Sequence, residues 1–295
     1  MKLLIIGEQS RLRRKVTELL LEWGHSVAVL SEAPDTTLPT STRFIIGAFS
    51  HLTTARAEVD SFAPDVLVAL PGASFSTIEQ LLEFSEGGSR LVYCGSFKVY
   101  RAYARYTLEE PGAPDLVPLL EDDPLRTEGD LAIIERLLRD RPSSTSTILR
   151  LPEVFGPGID SDDIRTFLDK TKSSQSIAIG EDFSRWRCAT GYVDDVAVAI
   201  ALAAKTSKAA GKTYNVADSF AFAQIDWLKA IARAAEWPGE IVVSQGETEP
   251  GKDYEQHLIV ASSKIRQELG HSEVVPINEA FIRTVAWIRD AEPTL

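Results

Sequence analysis

The opening of the chain limits its fold more than any other stretch. An apolar run, Lys2-Leu-Leu-Ile-Ile6, meets Gly7-Glu8-Gln9-Ser10-Arg11-Leu12-Arg13; an amphipathic run to Trp23 and then Gly24-His25 follow. A strand, a tight turn and a helix starting at that turn form a phosphate-cradling unit, because backbone N–H groups and the positive helix end face the anion. That unit opens a Rossmann-type sheet. Gly7 supplies the turn, but the next two glycines of a G-x-x-G-x-x-G pattern fall on Ser10 and Arg13. Ser10 is small enough to substitute. Arg13 puts a long cation where the helix should pack closely on its strand.

Strand-like and helix-like segments then alternate. Strands are expected at 3–6, 27–30, 43–46, 66–70, 90–94 and 145–150, and helices at 11–23, 52–62, 76–85 and 129–139. Apolar strands separated by helices give a doubly wound parallel sheet covered on both faces, with ligands off the carboxyl ends of its strands. The residues to watch are therefore 7–13, Ser31, Gly47, Leu70-Pro71-Gly72 and 95–100. From Pro152 the pattern shortens, with helices expected at 194–205, 224–236, 262–269 and 278–291 and strands at 213–216 and 258–260. The fold expected is α/β, with a smaller C-terminal α+β substrate lobe. It divides into a Rossmann domain at 1–151 and a mainly substrate-binding lobe at 152–295, with segments at about 190–218 returning to the Rossmann domain. Residues 106–124, rich in Pro and acids, read as a lid.

A net charge of −12 argues against a phosphate backbone as partner. No apolar run approaches membrane-spanning length and no leader precedes the first strand. Cys94 and Cys188 are too few for a disulfide framework, and four scattered histidines make no metal ligand cluster. A cytoplasmic protein acting on a small-molecule substrate or a nucleotide ligand is expected.

Several segments together resemble the extended short-chain dehydrogenase/reductase superfamily, specifically its NAD-dependent epimerase/dehydratase family. They are LLIIG at 3–7, GHSVAVL at 24–30, PDVLVALPG at 64–72, GSFKVYRAY at 95–103, EDDPLR at 121–126, TILRLPEVFGPG at 147–158, GYVDDVAVAIALA at 191–203 and AGKTYNVAD at 210–218. The resemblance spans nearly the whole chain. It implies a bound NAD or NADP and, by analogy, a homodimer. It also implies a Ser beside a Tyr-x-x-x-Lys pair, the cation lowering a phenol pKa that is otherwise about 10.

Ser96 matches the family's Ser. The helix ending in Ile134-Glu135-Arg136 should carry the pair, but it puts Thr127 at the tyrosine position and Leu131 at the lysine position, and no Tyr-x-x-x-Lys occurs anywhere. Lys98 and Tyr100 lie just past the strand end and are the candidate substitutes, with Glu128 or Asp130 as a replacement carboxylate. For the cofactor, the candidates are Gly7, Ser10, Arg11, Leu12, Arg13, Ser31, Glu32, Gly47, Leu70, Pro71, Gly72 and Pro152. Arg11 and Arg13 read either as helix-face charges or as cations holding a pyrophosphate. Glu32 stands near the place of a ribose-binding acid. Arg185, Arg187 and Tyr192 resemble a substrate-facing segment. Three functions stay open: an NAD(P)-dependent enzyme with non-standard acid/base groups, a non-catalytic ligand sensor or partner subunit, and a scaffold for non-redox isomerisation or cyclisation.

Overall fold

The expected alternation becomes eleven strands and eleven α-helices in the computed structural model, which describes residues 1–85, 87–140, 146–245 and 250–290. The first half runs β1 (Lys2–Ile6), α1 (Arg11–Glu22), β2 (Ser26–Ser31), β3 (Arg43–Ile46), α2 (Arg56–Phe62), β4 (Val66–Ala69), α3 (Phe75–Ser85), β5 (Arg90–Ser96), α4 (Arg101–Tyr106) and α5 (Asp130–Asp140). The second half runs β6 (Thr147–Leu151), β7 (Glu153–Phe155), α6 (Asp162–Ser173), β8 (Ser176–Gly180), α7 (Glu181–Arg185), β9 (Thr190–Tyr192), α8 (Val193–Lys205), β10 (Thr213–Asn215), α9 (Gln224–Ala234), β11 (Glu240–Ser244), α10 (Ser263–Leu269) and α11 (Ile277–Asp290). Thr145 and Ala291, the outer ends of two expected elements, lie outside the described residues.

Seven strands form one parallel sheet in the order β10-β6-β5-β4-β1-β2-β3. Side chains alternate across it. Leu3 and Ile5 face one apolar layer with Leu12, Val16 and Leu20 of α1 and the alanine-rich α8. Leu4 and Ile6 face the other, with Val59 of α2, Ile78 and Leu81 of α3, and Ile134 and Leu138 of α5. Each such fully buried Leu or Ile contributes roughly 1.5–3 kcal/mol, so covering both faces outweighs the weak helix propensity of any single crossover. The order of strands reverses between β1 and β4, and ligands of open α/β sheets sit at that crevice.

Two expectations are corrected. Residues 258–260 are not a strand: Leu258 and Val260 make only isolated bridges, to Cys188 and Leu119. Their alternation serves burial against a third apolar cluster rather than a ladder. The helix expected from residue 52 starts as a 3-10 turn and becomes α-helical only at Arg56. The acidic, Pro-containing segment after α4 is pinned down. Arg101 holds Asp115 at 2.5 Å, the Asp115 N–H donates to Gln256 Oε1 at 2.6 Å, and Leu119 is buried. Among the described residues no helix is long and apolar enough to cross a membrane.

Candidate active site at the carboxyl edge of the sheet

Gly7 makes the turn after β1 at φ +156°, and a Cβ there would stand 2.7 Å from the Leu70 Cβ at the end of β4. The turn therefore needs glycine, and Leu70 needs its place: it is buried and its N–H donates to the Ile6 carbonyl at 2.8 Å. Ser10 caps α1, its Oγ accepting from the Arg13 N–H at 3.2 Å, so the hydroxyl satisfies one of the first-turn donors. Leu12 is core. Pro71 and Gly72 are exposed beyond β4, and Gly72 takes φ +94° with open space around it. Gly47 follows β3 and donates its N–H to the Ser31 carbonyl at 3.1 Å.

The two arginines of the turn behave differently. Arg11 is about one-third exposed and grips Asp194 of α8 with three contacts of 3.1–3.2 Å. Its stem crosses Gly158, where a Cβ would come within 2.7 Å. Arg13 is not a solvated helix-face charge. Its side chain is 2% exposed, one Nη donates to Asp35 Oδ2 at 2.5 Å, and the other donates to the Gly7 carbonyl at 3.0 Å. Asp35 in turn accepts from Gln9 Nε2 at 3.0 Å and from the Thr37 N–H and hydroxyl at 2.9 and 2.6 Å. Burial alone would raise the Asp35 pKa, but the Thr37 hydrogen bonds and the Arg13 cation outweigh it and hold the carboxyl below its ordinary value. Glu32 is exposed, and Ser31 spends its hydroxyl on the Ala33 carbonyl.

At the far end of the crevice, Ser96 and Leu151 are register partners across β5 and β6. Ser96 Oγ caps the short turn 97–99 by accepting from the Lys98 N–H at 3.2 Å. Lys98 Nζ lies 2.7 Å from Glu153 Oε1, with the side chains 36% and 50% exposed. Burial works to lower the Lys98 pKa, but the hydrogen bond and charge of Glu153 prevail and raise it. The ammonium also lies 5.6 Å from the Tyr103 ring centroid. Glu153 was not among the sequence candidates. It follows Pro152 directly after β6, and that position at a strand's carboxyl end was the signal available. Pro152 itself is buried, its ring over Gly191.

Tyr100 is fully buried. Its hydroxyl lies 2.8 Å from the Leu120 carbonyl oxygen and 2.7 Å from Asn215 Oδ1, and the Arg150 guanidinium covers its ring. Thr127, Glu128 and Asp130 are exposed, and Leu131 packs against the third apolar cluster, so α5 presents neither phenol nor ammonium. Arg185 is an exposed cation paired with Glu181 and Asp182. Arg187 donates to the Ala221 carbonyl at 2.6 Å, with its guanidinium 5.7 Å from the Phe220 ring. Tyr192 is buried against Phe155. A separate cleft of about 380 Å³ is lined by Asp195, Asp218, Phe220, Phe222, Glu273 and Ile277. There burial, aided by Asp195 and Glu273, pushes the Asp218 pKa up to about 7. Among the described residues no group of three or more His, Cys, Asp or Glu is placed to hold a metal.

A dinucleotide can be tested against these residues. The Gly7 turn and the capped N-terminus of α1 fit a phosphate. The adenosine ribose does not fit in the usual manner: the buried acid beyond β2 already accepts four hydrogen bonds, and the third glycine position is filled by Arg13.

Comparison with known proteins agrees with the fold. Residues 131–217 match the model of the NAD dependent epimerase/dehydratase family. No curated protein matches the sequence significantly. The UDP-glucose 4-epimerase of Thermotoga maritima, solved with UDP-glucose, superposes with a TM-score of 0.75 at 18% identity, covering 98% of this chain and 99% of the other. The UDP-glucose 4-epimerase of Thermus thermophilus, solved with NAD, gives 0.73 at 20% identity over 99% and 100%. The dTDP-glucose 4,6-dehydratase of Bacillus anthracis, also with NAD, gives 0.76 at 12% identity over 99% and 97%. These neighbours are two epimerases and a dehydratase, in keeping with the family whose model matches residues 131–217, and two of them hold NAD.

Proposed function

From a fold shared with those epimerases and dehydratases, we propose that this chain is a divergent epimerase/dehydratase-like protein. It takes a nucleotide-bearing ligand, of the NAD(P) or nucleotide-sugar kind, along the carboxyl edge of its sheet. The phosphates sit at the Gly7 turn and the N-terminus of α1, and the opposite end of the ligand reaches Ser96, Lys98 and Glu153. The observation that carries this reading is the Lys98–Glu153 pair at 2.7 Å, one turn from the Ser96 hydroxyl and on the ligand-binding edge. An ammonium and a carboxylate within hydrogen-bond reach can pass a proton to and from a ligand. With Thr127 exposed and Leu131 packed, α5 and the residues before it supply no phenol or ammonium to this edge.

A second reading has its own support. Lys98 and Glu153 satisfy each other, and the Tyr100 hydroxyl is spent inside the core, which suits a cleft that binds without turnover. Calorimetry with UDP-glucose, dTDP-glucose, NAD and NADP tests the common ground. The expected result is that at least one binds and that K98M weakens it by about tenfold without unfolding the protein, a loss of about 1.4 kcal/mol. Absence of binding by all four would overturn both readings. Solvent deuterium appearing in the bound ligand, lost in E153Q, separates the proton-transferring protein from the silent binder.

A further inference from the structure

We infer that Arg13 and Asp35 stand in for the cofactor's adenosine ribose, so that the nucleotide cleft of this chain selects against intact dinucleotides. The inference rests on the proposed nucleotide reading and concerns which nucleotide the cleft admits.

Three observations carry it. The turn after β1 and the segment after β2 are the two places a dinucleotide must bridge, its pyrophosphate at one and its ribose hydroxyls on an acid at the other. Arg13 makes that bridge itself. It starts from the third glycine position, donates back to the Gly7 carbonyl at 3.0 Å and reaches Asp35 at 2.5 Å, with both side chains 3% exposed or less. Asp35 offers a diol no open face, because Gln9 and Thr37 place three donors on one oxygen, the Arg13 guanidinium lies on the other, and the side chain is 3% exposed. Ser31 at the end of β2 offers no substitute, since its hydroxyl is turned to Ala33. A ribose entering here must therefore break a buried ion pair, and it would leave each charge without its partner. A nucleotide whose sugar ring lies elsewhere, and which needs only the Gly7 turn for its phosphates, meets no such obstacle. Gln9 and Arg13 also tie the turn to the β2–β3 segment, so this end of the site is ordered without any ligand.

The test is calorimetric titration of NAD into the wild-type protein and into R13G/D35S. The double variant removes both charges together, so that neither is left buried alone, and restores the third glycine. The expected result is NAD binding at least about tenfold tighter in R13G/D35S than in wild type, with a lower melting temperature for the unliganded variant. Equal or tighter binding of NAD by the wild-type protein overturns the inference. That outcome leaves the nucleotide reading intact, whereas failure of UDP-glucose, dTDP-glucose, NAD and NADP alike in the separate titration strikes the reading and not the pair. Should R13G/D35S not fold, the wild-type melting curve decides: NAD at about 1 mM is expected to raise it by less than about 1 °C, and a rise of several degrees overturns the inference.

Discussion

Arg150 of β6 and Glu135 of α5 close on each other inside the protein, Nε 3.0 Å from Oε1 and an Nη 2.8 Å from Oε2, with side chains 0% and 1% exposed. The same guanidinium donates to the Glu121 carbonyl at 2.9 Å and lies over the Tyr100 ring. This pair docks α5 against the sheet beside Ser96. The helix is thus held in place although neither Leu131 on it nor Thr127 just before it is a phenol or an ammonium.

Removing one partner should be costly, because an uncompensated charge stays buried. E135A is expected to lose about 3–5 kcal/mol of unfolding free energy, and E135L/R150M to lose less. Urea denaturation monitored by circular dichroism checks both. An E135A protein as stable as wild type would contradict the role given to the pair.

The Lys98–Glu153 pair should behave in the opposite way. Both side chains are at least one-third exposed, and such pairs contribute about 0–1 kcal/mol. K98M and E153Q should therefore melt within a few degrees of wild type while losing ligand affinity. A large drop in stability would make the pair structural.

Asp218 sets a pH dependence. Burial, with Asp195 and Glu273 nearby, raises its folded pKa to about 7, well above its ordinary value. The native state then holds a proton that the unfolded chain has released between about pH 4 and 7, so this group's contribution is full below pH 4 and is lost as pH rises to 7. D218N should match wild type at low pH and exceed it in stability above pH 7. Because His257 and His271 also have lowered pKa values, burial being the main cause for each, the difference between the two proteins is the quantity to measure. A difference that does not change with pH would contradict the assignment.

The two cysteines give a simpler check. Cys94 and Cys188 are free and buried, and burial raises both thiol pKa values. Native protein should leave Ellman's reagent unreacted over minutes and titrate two thiols once unfolded. Rapid reaction in the native state would mean that the core around them opens.

Much of the sheet was legible because apolar runs of four to seven residues alternate with amphipathic ones, and that periodicity is local. Gly7 was legible for the same reason, since a turn between a strand and a helix needs it. What stayed hidden depends on contacts far apart in sequence. Arg13 looked like an obstacle to packing; its partner Asp35 comes 22 residues later, and nothing local says that this acid turns inward. Tyr100 sits near Ser96 in sequence, yet Asn215, 115 residues away, takes its hydroxyl. Glu153 stands directly after a strand's carboxyl end, a position the sequence shows, but its pairing with Lys98 follows from the register of β5 on β6. The short strands β7 and β9 pair only with each other and carry three residues each, too few for any periodicity to show.

The proposed nucleotide ligand lies along the carboxyl edge of the sheet, from the Gly7 turn to the Lys98–Glu153 pair. Amide chemical-shift mapping of the isotope-labelled protein on addition of UDP-glucose tests this placement most directly. Shifts are expected at Gly7, Ser10 and Arg11 together with Ser96, Lys98 and Glu153. Shifts confined to the cleft around Asp218 and Phe220, or no shifts at all, would contradict it.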